Sequence, residues 1–542
     1  MKLKRTVIAP ALVAGVALVS GGWLLQHGSS GQQSVFQRAQ IFDQAMRYVE
    51  ARYVDEIPED SLYQKAIEGM LQGLGDPATV FMTGDEYAQL HLQTTGEYGG
   101  LGIRIAPREQ YITAVAVLPG TPAERMGIRV GDQLLEIDGK DARGWTDDFA
   151  VKVLRGPVGS PIRLKVRRVG VAQPLDFTIT REEIHVRSVP YAYMAAPGVA
   201  YVNLTIFSQT SAAEVRTAID SLRRQGARKL VLDLRGNPGG LLDQGVAVSD
   251  LFLRRGQSIV ETRSRDPMES ATFRATSDEA YDMPVAVLVD AFSASASEIV
   301  AGALQDHDRA LVVGSTSYGK GSVQQLFRLS GGNFLKMTTG KWYTPVGRSI
   351  QRPFRHADAE ADADSDSAAT DTVATDTTKR RPYRTDGGRT VLGGGGIVPD
   401  VAVRPDTTTL AERTLVAAVS RKASTFNDVV MRYAVEYERR ATNLTPDFRI
   451  TPEMHRELFN RLRAAGVELA WEQYQAGSRL IEARLVNEIA VSRFGQGVAA
   501  QRNDADDLAL QEALRLLQRA DTQAALFRAA GQSAPPVAAA PR

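Results

Sequence analysis

A serine and a lysine in the stretch from Pro284 to Gln325 are suited to nucleophilic catalysis. The apolar run Val285–Val289 predicts a buried strand, and a helix is predicted from about Ser297. Ser295 therefore lies at a strand-to-helix turn, where free N–H groups and the helix dipole can stabilise an oxyanion. Lys320 can act as the base if burial lowers its pKa toward neutrality.

Other interpretations of the same residues stay open on spacing alone. Ser293 and Ser297 are as well spaced as Ser295 to supply the hydroxyl. Ser295 and Glu298 also form an S-x-x-E capping box, and the two roles can coexist. Lys320 lies in a Gly-Lys-Gly tripeptide, which is also typical of a solvated turn.

Two further motifs in this stretch are set aside. His307 follows Asp306 and suggests a Ser/His/Asp triad, but a lone histidine on a helix is usually structural. The segment 314–320 matches the phosphate-loop pattern G-x-x-x-x-G-K, yet Gly321 stands where the metal-binding Ser or Thr should be. We therefore expect neither a histidine triad nor a nucleotide site.

The runs SASASEI, AGALQD and YGKGSVQ resemble the core motif of the C-terminal processing peptidases, also called tail-specific proteases. These enzymes use a Ser/Lys pair. The resemblance implies that Ser295 is the nucleophile and Lys320 the general base. It further implies that Gln324 orients the lysine and that Asp306 has a supporting role.

The run LDLRGNPGG, residues 232–240, also resembles this family. In the family this turn lies beside the nucleophile, so the resemblance implies an oxyanion hole formed by the N–H groups of Gly239 and Ala296. A glycine turn that only starts a helix is the alternative interpretation. Both glycines of the turn, Gly239 and Gly240, could serve either purpose.

Residues 96–183 change to short alternating strands with two short helices, one from Pro122 to Met126 and one from Asp147 to Leu154. This region resembles a PDZ domain. Consecutive N–H groups in a glycine-bearing loop can hold a terminal carboxylate, and an adjacent strand edge can take an extended peptide. The resemblance implies a carboxylate-binding loop formed by Gly100, Leu101, Gly102 and Ile103.

Composition excludes several classes of function. The 542 residues are 43% hydrophobic and 23% charged, as in soluble globular proteins, and the net charge of +1 argues against nucleic-acid binding. Cysteine is absent, which rules out disulfides and thiolate metal sites. The six histidines form no metal motif, so we expect no metal and no cofactor.

The N-terminus indicates export. Lys2, Lys4 and Arg5 precede an uncharged stretch from Val7 to Leu25, so residues 1–33 are interpreted as a signal peptide or a signal anchor. No clean A-x-A cleavage site follows, which slightly favours an uncleaved anchor. We expect a periplasmic or membrane-anchored protein whose body lies outside the cytoplasm.

The remaining chain divides into three regions. Residues 34–95 are predicted to be helical, and 184–405 form an α/β peptidase core with a disordered acidic insertion at 357–378. Residues 406–542 are predicted to be a helical extension with a loose tail, which could pack on the core, form a dimer or bind an adaptor. In region 34–95 ordinary core packing is expected for two apolar faces: Phe42, Met46, Val49 and Tyr53, and Ile67, Met70, Leu71 and Leu74.

The predicted fold is thus a multidomain α/β protein with a crotonase-like protease core, an inserted PDZ domain and helical regions at both ends. The predicted function is an exported serine endopeptidase that recognises the free C-terminal tails of protein substrates. One alternative is a PDZ scaffold on an inactive peptidase fold, against which the presence of Ser295, Lys320 and Gln324 argues. An acyl-CoA enzyme of the crotonase type is the other, and it would need neither an export segment nor the lysine.

Overall fold

The structure is a computed structural model that describes residues 35–108, 110–352, 380–404, 408–441 and 443–532. The predicted N-terminal segment, the acidic insertion and the last ten residues of the tail lie outside these ranges. The chain divides into two units, one up to Phe81 and one from Met82 onward. Each is described by itself, and strand β1 (Val80–Met82) spans the boundary.

The first unit contains helices α1 (Val35–Arg52) and α2 (Glu59–Gln72), which confirms the predicted helices. The expectation of ordinary core packing is wrong for most of their apolar residues. Met46 and Leu71 are buried, but five others are exposed: Phe42, Val49, Tyr53, Met70 and Leu74. Periodicity gives the position of an apolar face and says nothing about what covers it.

A six-stranded sheet forms the centre of the second unit. Its order is β10-β11-β12-β15-β16-β21, and every neighbouring pair is parallel except β10 with β11. The strands are β10 (Ala192–Ala196), β11 (Val199–Asn203), β12 (Lys229–Asp233), β15 (Val285–Val289), β16 (Leu311–Gly314) and β21 (Val401–Ala402). The carboxyl ends of the parallel strands meet at one edge of the sheet, where α/β proteins build their sites.

Both faces of this sheet are covered, as the continuous apolar runs of its strands require. One face packs against helices α6 (Ser211–Arg224), α7 (Leu242–Asp250) and α8 (Ala296–Asp306). The other packs against α15 (Leu508–Gln518) and α16 (Gln523–Ala529) of the C-terminal region. The last two helices of the predicted extension are therefore part of the core.

A second, antiparallel sheet has the order β17-β18-β13-β14. Its strands are β13 (Ser258–Ser264), β14 (Ala271–Arg274), β17 (Ser322–Arg328) and β18 (Phe334–Tyr343). A short hairpin, β19 (Pro382–Arg384) with β20 (Thr390–Leu392), follows the acidic insertion. The second sheet matters for the site because β17 begins directly after the Gly-Lys-Gly turn.

Residues 96–185 form the PDZ-like region, which follows helix α3 (Gly84–Thr95). Its sheet has the order β3-β4-β5-β7-β8, with β6 paired to β5. The strands are β3 (Ile103–Arg108), β4 (Tyr111–Val117), β5 (Gln133–Ile137), β6 (Lys140–Asp141), β7 (Pro161–Arg167) and β8 (Leu175–Thr180). Helices α4 (Pro122–Arg125) and α5 (Asp147–Leu154) follow the prediction closely, and β2 (Glu97–Gly100) pairs with β9 (Glu182–His185).

The rest of the C-terminal region is a helical bundle with its own apolar core. Its helices are α9 (Leu410–Ser420), α10 (Ala423–Arg440), α11 (Pro452–Ala464), α12 (Trp471–Ala476), α13 (Ser478–Phe494) and α14 (Gln496–Arg502). Leu458, Leu462, Ile481 and Leu485 are buried in it, as expected for the inward faces of packed helices. No helix of the described residues is both long and apolar enough to cross a membrane.

Candidate active site

Ser295 lies at the turn between β15 and α8, and its backbone is strained. Its φ of 55° and ψ of −114° fall outside the regions that a serine normally adopts. Such strain at a strand-to-helix turn is typical of a nucleophile that must project from a sheet edge. The residue is partly exposed, although α8 behind it is buried from Ala296 to Asp306.

The two neighbouring serines have structural hydrogen bonds instead. Ser293 is fully buried, and its Oγ donates to the carbonyl oxygen of Leu234 at 2.8 Å. Ser297 is also fully buried, and its Oγ donates to the carbonyl oxygen of Asn237 at 2.9 Å. Of the three candidates that spacing left open, Ser295 alone has access to solvent.

Glu298 connects the serine turn to the lysine turn. Its buried carboxylate accepts the backbone N–H of Ser295 at 2.9 Å and that of Lys320 at 2.9 Å. It also accepts the N–H of Gly319 at 2.6 Å and the hydroxyl of Ser317 at 2.5 Å. The sequence indicates only the capping role of this glutamate, because its other three donors come from a distant turn.

The charge state of Glu298 is set by two opposing effects. Burial raises the pKa of this carboxyl, since the charged form loses its hydration. The hydrogen bonds from Ser317, Lys320, Gly319 and Ser295 lower the pKa, because all four donors stabilise the carboxylate. Burial is the larger effect, so the pKa of Glu298 lies above its usual value and the ionised form depends on the correct position of both turns.

The Gly-Lys-Gly turn is packed and is not a solvated loop. Gly319 and Gly321 are buried, and Lys320 is partly buried. Gly319 has a φ of 91°, and a Cβ on it would lie 2.9 Å from the amide nitrogen of Gly396. A Cβ on Gly321 would lie 3.0 Å from that of Gln351. Both glycines are thus needed for close approach of the backbone.

Two bonds hold the lysine backbone in place. Its N–H donates to Glu298, and its carbonyl oxygen accepts the indole Nε1–H of buried Trp342 at 3.1 Å. Gln324, the residue expected to orient the lysine, lies four residues after it, on strand β17. Its amide Nε2 donates to Ser322 Oγ at 2.8 Å and to Thr338 Oγ1 at 3.4 Å.

The glycine turn 232–240 lies directly against the nucleophile. A Cβ on Gly239 would lie 2.7 Å from Ser295 Cβ, so only glycine fits there. The N–H of Gly239 donates to Asn237 Oδ1 at 2.9 Å, so it can bind an oxyanion only if it exchanges this bond. The N–H of Ala296 is at the first position of α8 and has no acceptor within the helix.

Asp306 and His307 lie at the far end of α8. The helix has 11 residues, which places them about 16 Å from Ser295. Asp306 is buried and forms an ion pair with buried Arg348 at 2.7 Å, so its support for the site is structural. His307 is close to Asp386 Oδ2 at 2.6 Å and to the carbonyl oxygen of Ser258 at 2.7 Å. Within the described ranges no three acidic or histidine side chains are placed to hold a metal ion.

The predicted carboxylate-binding loop lies at the head of a groove in the PDZ-like region. Strand β3 is at the edge of its sheet and, among the described strands, pairs with β4 alone. A pocket of about 50 Å³ lies between this strand and α5. Its lining is mainly apolar and includes Ile103, Ile105, Val151 and Leu154 together with the loop backbone.

Local packing determines the shape of this loop. Gly102 has a φ of 79°, and a Cβ on it would lie 2.3 Å from Thr121 Cβ. Leu101 is buried in the apolar core of the region. The guanidinium of Arg155 lies 4.7 Å from the centre of the Tyr98 ring at the side of the pocket. The groove therefore has a loop shaped by Gly102, a strand edge that pairs with no other described strand, and a cation nearby.

We predict that Glu298→Gln weakens the structure at the junction of the two turns. A glutamine has one acceptor oxygen, and its NH₂ group would face N–H donors, which leaves buried groups unsatisfied. The free energy of unfolding should fall by about 2–4 kcal/mol. Amide hydrogen exchange should become faster at Ser295, Gly319 and Lys320.

The matched control is Glu279→Gln at an exposed surface position, which should change the free energy of unfolding by less than about 0.5 kcal/mol. Unchanged stability together with unchanged amide protection in Glu298→Gln would contradict the role assigned to this carboxylate.

Three family models match the chain. The model of peptidase family S41 matches residues 198–360, and that of the PDZ domain matches residues 89–167. A third model, the N-terminal domain of the activating protease CtpB, matches residues 23–86. Among solved structures, the photosystem II D1 C-terminal processing protease is 29% identical, with a TM-score of 0.34, over 58% of this chain and 90% of that chain.

Curated relatives match nearly two thirds of the chain. The carboxy-terminal-processing protease of Bartonella bacilliformis is 40% identical over 347 residues, which is 62% of this chain and 79% of the relative. The carboxy-terminal processing protease CtpA of Bacillus subtilis is 32% identical over 356 residues, 65% of this chain and 75% of the relative. The predicted family and the mixed α/β fold class are confirmed. The chain belongs to peptidase family S41 and is a serine-type endopeptidase that carries a PDZ domain.

Proposed function

We propose that this peptidase processes protein substrates at their C-terminal tails, with Ser295 as the nucleophile and Lys320 as the general base. The observation that carries the catalytic assignment is the Glu298 carboxylate, which binds the backbones of both residues. Ser295 is also the accessible member of the three serines. The names of the relatives support tail processing as the activity.

In the proposed reaction Lys320 first takes a proton from Ser295 and then gives it to the leaving amine. Ser295 Oγ attacks the carbonyl carbon of the peptide bond while neutral Lys320 Nζ takes the hydroxyl proton. The tetrahedral intermediate collapses, the C–N bond breaks, and the leaving amine receives the proton from Lys320. Water then hydrolyses the acyl-enzyme, with Lys320 as the base again, and restores the Ser295 hydroxyl.

Two supporting roles complete the proposal. Gln324 orients the lysine, which is supported by its place on β17 directly after the lysine turn. The N–H groups of Gly239 and Ala296 stabilise the oxyanion, which is supported by the contact of Gly239 with Ser295 and by the start of α8 at Ala296. The Asn237 side chain must release the Gly239 N–H in the reactive state.

The PDZ domain is proposed to bind the substrate tail. The free edge of β3 can take an extended peptide as an added strand, and the apolar pocket beside it can hold the terminal side chain. The loop Gly100–Ile103 would hold the terminal carboxylate through its N–H groups. The nearby Arg155 guanidinium adds a favourable charge.

We further propose, from the sequence, that the body of the protein is exported and that its C-terminal helices bind another protein or a second copy. The basic residues and the uncharged stretch at the N-terminus support an exported body that is periplasmic or held at the membrane. The bundle α9–α14 is the proposed surface for an adaptor or a second copy, since α15 and α16 are already packed on the core.

The dyad is tested by cleavage of an unstructured protein with a free apolar C-terminus. We expect Ser295→Ala and Lys320→Ala to lower kcat/KM by about a thousandfold or more, because each removes a group that acts in the transition state. Ser330→Ala and Lys341→Ala change exposed residues of the same types and should cleave like the wild type.

A folded Lys320→Ala variant with full activity would show that the base is misassigned. A folded wild type that cleaves nothing, even with a PDZ-binding peptide present, would favour the scaffold function instead.

Tail binding is tested by fluorescence anisotropy with a labelled peptide that ends in an apolar residue and a free carboxylate. We expect Val151→Glu to weaken binding about tenfold, because the new carboxylate lies in the groove and repels the terminal carboxylate. Val158→Glu, at an exposed position outside the pocket, is the control and should bind normally. Equal affinity of the two variants would exclude this groove as the tail site.

A further inference from the structure

A large cavity lies between the central sheet and the C-terminal region. Its volume is about 650 Å³, which is enough for a small organic molecule or a long side chain. Asn203, Asp233 and Asp290 contribute one wall, at or just after the carboxyl ends of β11, β12 and β15. Residues of α13, α14 and the turn Asp504–Asp506 form the opposite wall.

The lining carries more negative than positive charge. It contains five carboxylates and two guanidinium groups: Asp233, Asp290, Asp504, Asp506, Asp507, Arg235 and Arg479. Both arginines have carboxylate partners already. Arg235 binds Asp507 at 2.6 Å and Asp233 at 2.6 Å, and Arg479 binds Glu412, which is outside the lining, at 2.7 Å.

Three of the carboxylates therefore lack a positive partner. Asp290 accepts backbone N–H groups, including that of Gly236, and Asp504 accepts the Tyr193 hydroxyl at 2.6 Å. Within the part of the chain that the structure describes, no basic side chain forms an ion pair with Asp290, Asp504 or Asp506. A cation in the cavity would supply the missing charge.

The pKa of Asp504 agrees with this excess of negative charge. This pKa is raised to about 6, mainly by burial and also by the nearby carboxylates of Asp507 and Asp233, against the Tyr193 hydrogen bond and the charge of Arg235. A group whose charged form is disfavoured by its neighbours is stabilised when a cation binds beside it.

Aromatic side chains form part of the lining of the same cavity. Tyr193 and Tyr201 stack with their ring centres 4.9 Å apart, and Tyr191 stacks on Tyr201 at 6.4 Å. The hydroxyl of Tyr201 donates to Asp233 at 2.6 Å, which holds the ring in place. Tyrosine faces beside carboxylates are the usual surroundings of ammonium and guanidinium groups in proteins.

A buried acceptor in the lining has no donor. Asn203 is 6% exposed, and its side-chain Oδ1 accepts no hydrogen bond from the described residues. An unsatisfied buried polar atom costs about 1–3 kcal/mol, so it is usually paired when the site is occupied. An N–H donor in the cavity would satisfy it.

We propose that this cavity binds an organic cation with N–H donors, that is, an ammonium or guanidinium group. The cation is supplied either by a free small molecule or by a basic side chain of the substrate. The excess carboxylates, the tyrosine faces and the unpaired Asn203 Oδ1 all point to this chemistry. The proposal does not depend on the catalytic dyad.

The cavity is connected to the candidate active site through one turn. Gly236 lines the cavity, and its N–H donates to Asp290 at 3.0 Å. Three residues later the same turn places Gly239 against Ser295. The turn that lines the cavity is thus the same turn that contacts Ser295.

The test measures binding to the full chain carrying Ser295→Ala, so that cleavage plays no part in the result. Isothermal titration calorimetry with spermidine and Nα-acetylargininamide tests the free cation, with Nα-acetylcitrullinamide, which carries no charge, as the reference for the arginine derivative. Anisotropy with a labelled peptide that contains a single arginine, or citrulline in its place, tests the side chain. We expect at least one cationic form to bind about tenfold tighter than its neutral reference.

Two variants and a control localise the binding. Asp506→Asn removes an exposed carboxylate of the lining and should weaken cation binding about fivefold. Ala483→Trp fills the cavity from an exposed position and should abolish binding although all carboxylates remain. Asp521→Asn neutralises a surface carboxylate, 97% exposed, outside the cavity and should change nothing.

The outcomes separate the two sources. Binding of free Nα-acetylargininamide or spermidine identifies a small-molecule site, and a preference for arginine seen only in the peptide identifies the substrate as the source. Equal binding of the arginine and citrulline forms together with no binding of spermidine, or binding that survives both Asp506→Asn and Ala483→Trp, would overturn the proposal. Because cleavage is not measured, none of these results depends on the assignment of Ser295 and Lys320.

Discussion

The site depends on one buried carboxylate and its four donors. Glu298 caps α8 by accepting the Ser295 N–H, and it also accepts hydrogen bonds from the lysine turn. It therefore links the two turns. Burying a charge is costly, and the cost is recovered only if every donor is in position. The position of Ser295 relative to Lys320 is therefore tied to the folding of two segments that are separated by the whole of α8 and β16.

The surrounding fold brings the turns at this junction close together. The parallel sheet brings the carboxyl ends of β12 and β15 to one edge, so the glycine turn after β12 meets the serine turn after β15. Close approach of the turns requires glycine at positions 239, 319 and 321. On the opposite face of the sheet, α15 and α16 complete the apolar core. The C-terminal region is therefore needed to bury the second face of the central sheet.

Much of this could be predicted from the sequence, since local signals were strong. The strand Val285–Val289 and the helix Asp147–Leu154 agree with their patterns residue by residue, because each has a clear period and clear ends. The expectation that the apolar residues of α1 and α2 belong to a core is wrong for most of them. The apolar pattern of a helix does not show which element, if any, packs against it. The wider role of Glu298 was missed for a different reason: its donors are distant in sequence, and no local pattern records them. The packing of α15 and α16 on the sheet is likewise a long-range contact.

The account's central claim is that Ser295 is the nucleophile and that its reactivity depends on the junction at Glu298. The most direct measurement is covalent labelling of the full chain with a serine-directed sulfonyl fluoride, followed by peptide mapping by mass spectrometry. The account predicts a single label on Ser295, formed much more slowly in Glu298→Gln and in Lys320→Ala. A label on Ser293, on Ser297 or on a serine outside this turn, or equal rates in all three proteins, would contradict it.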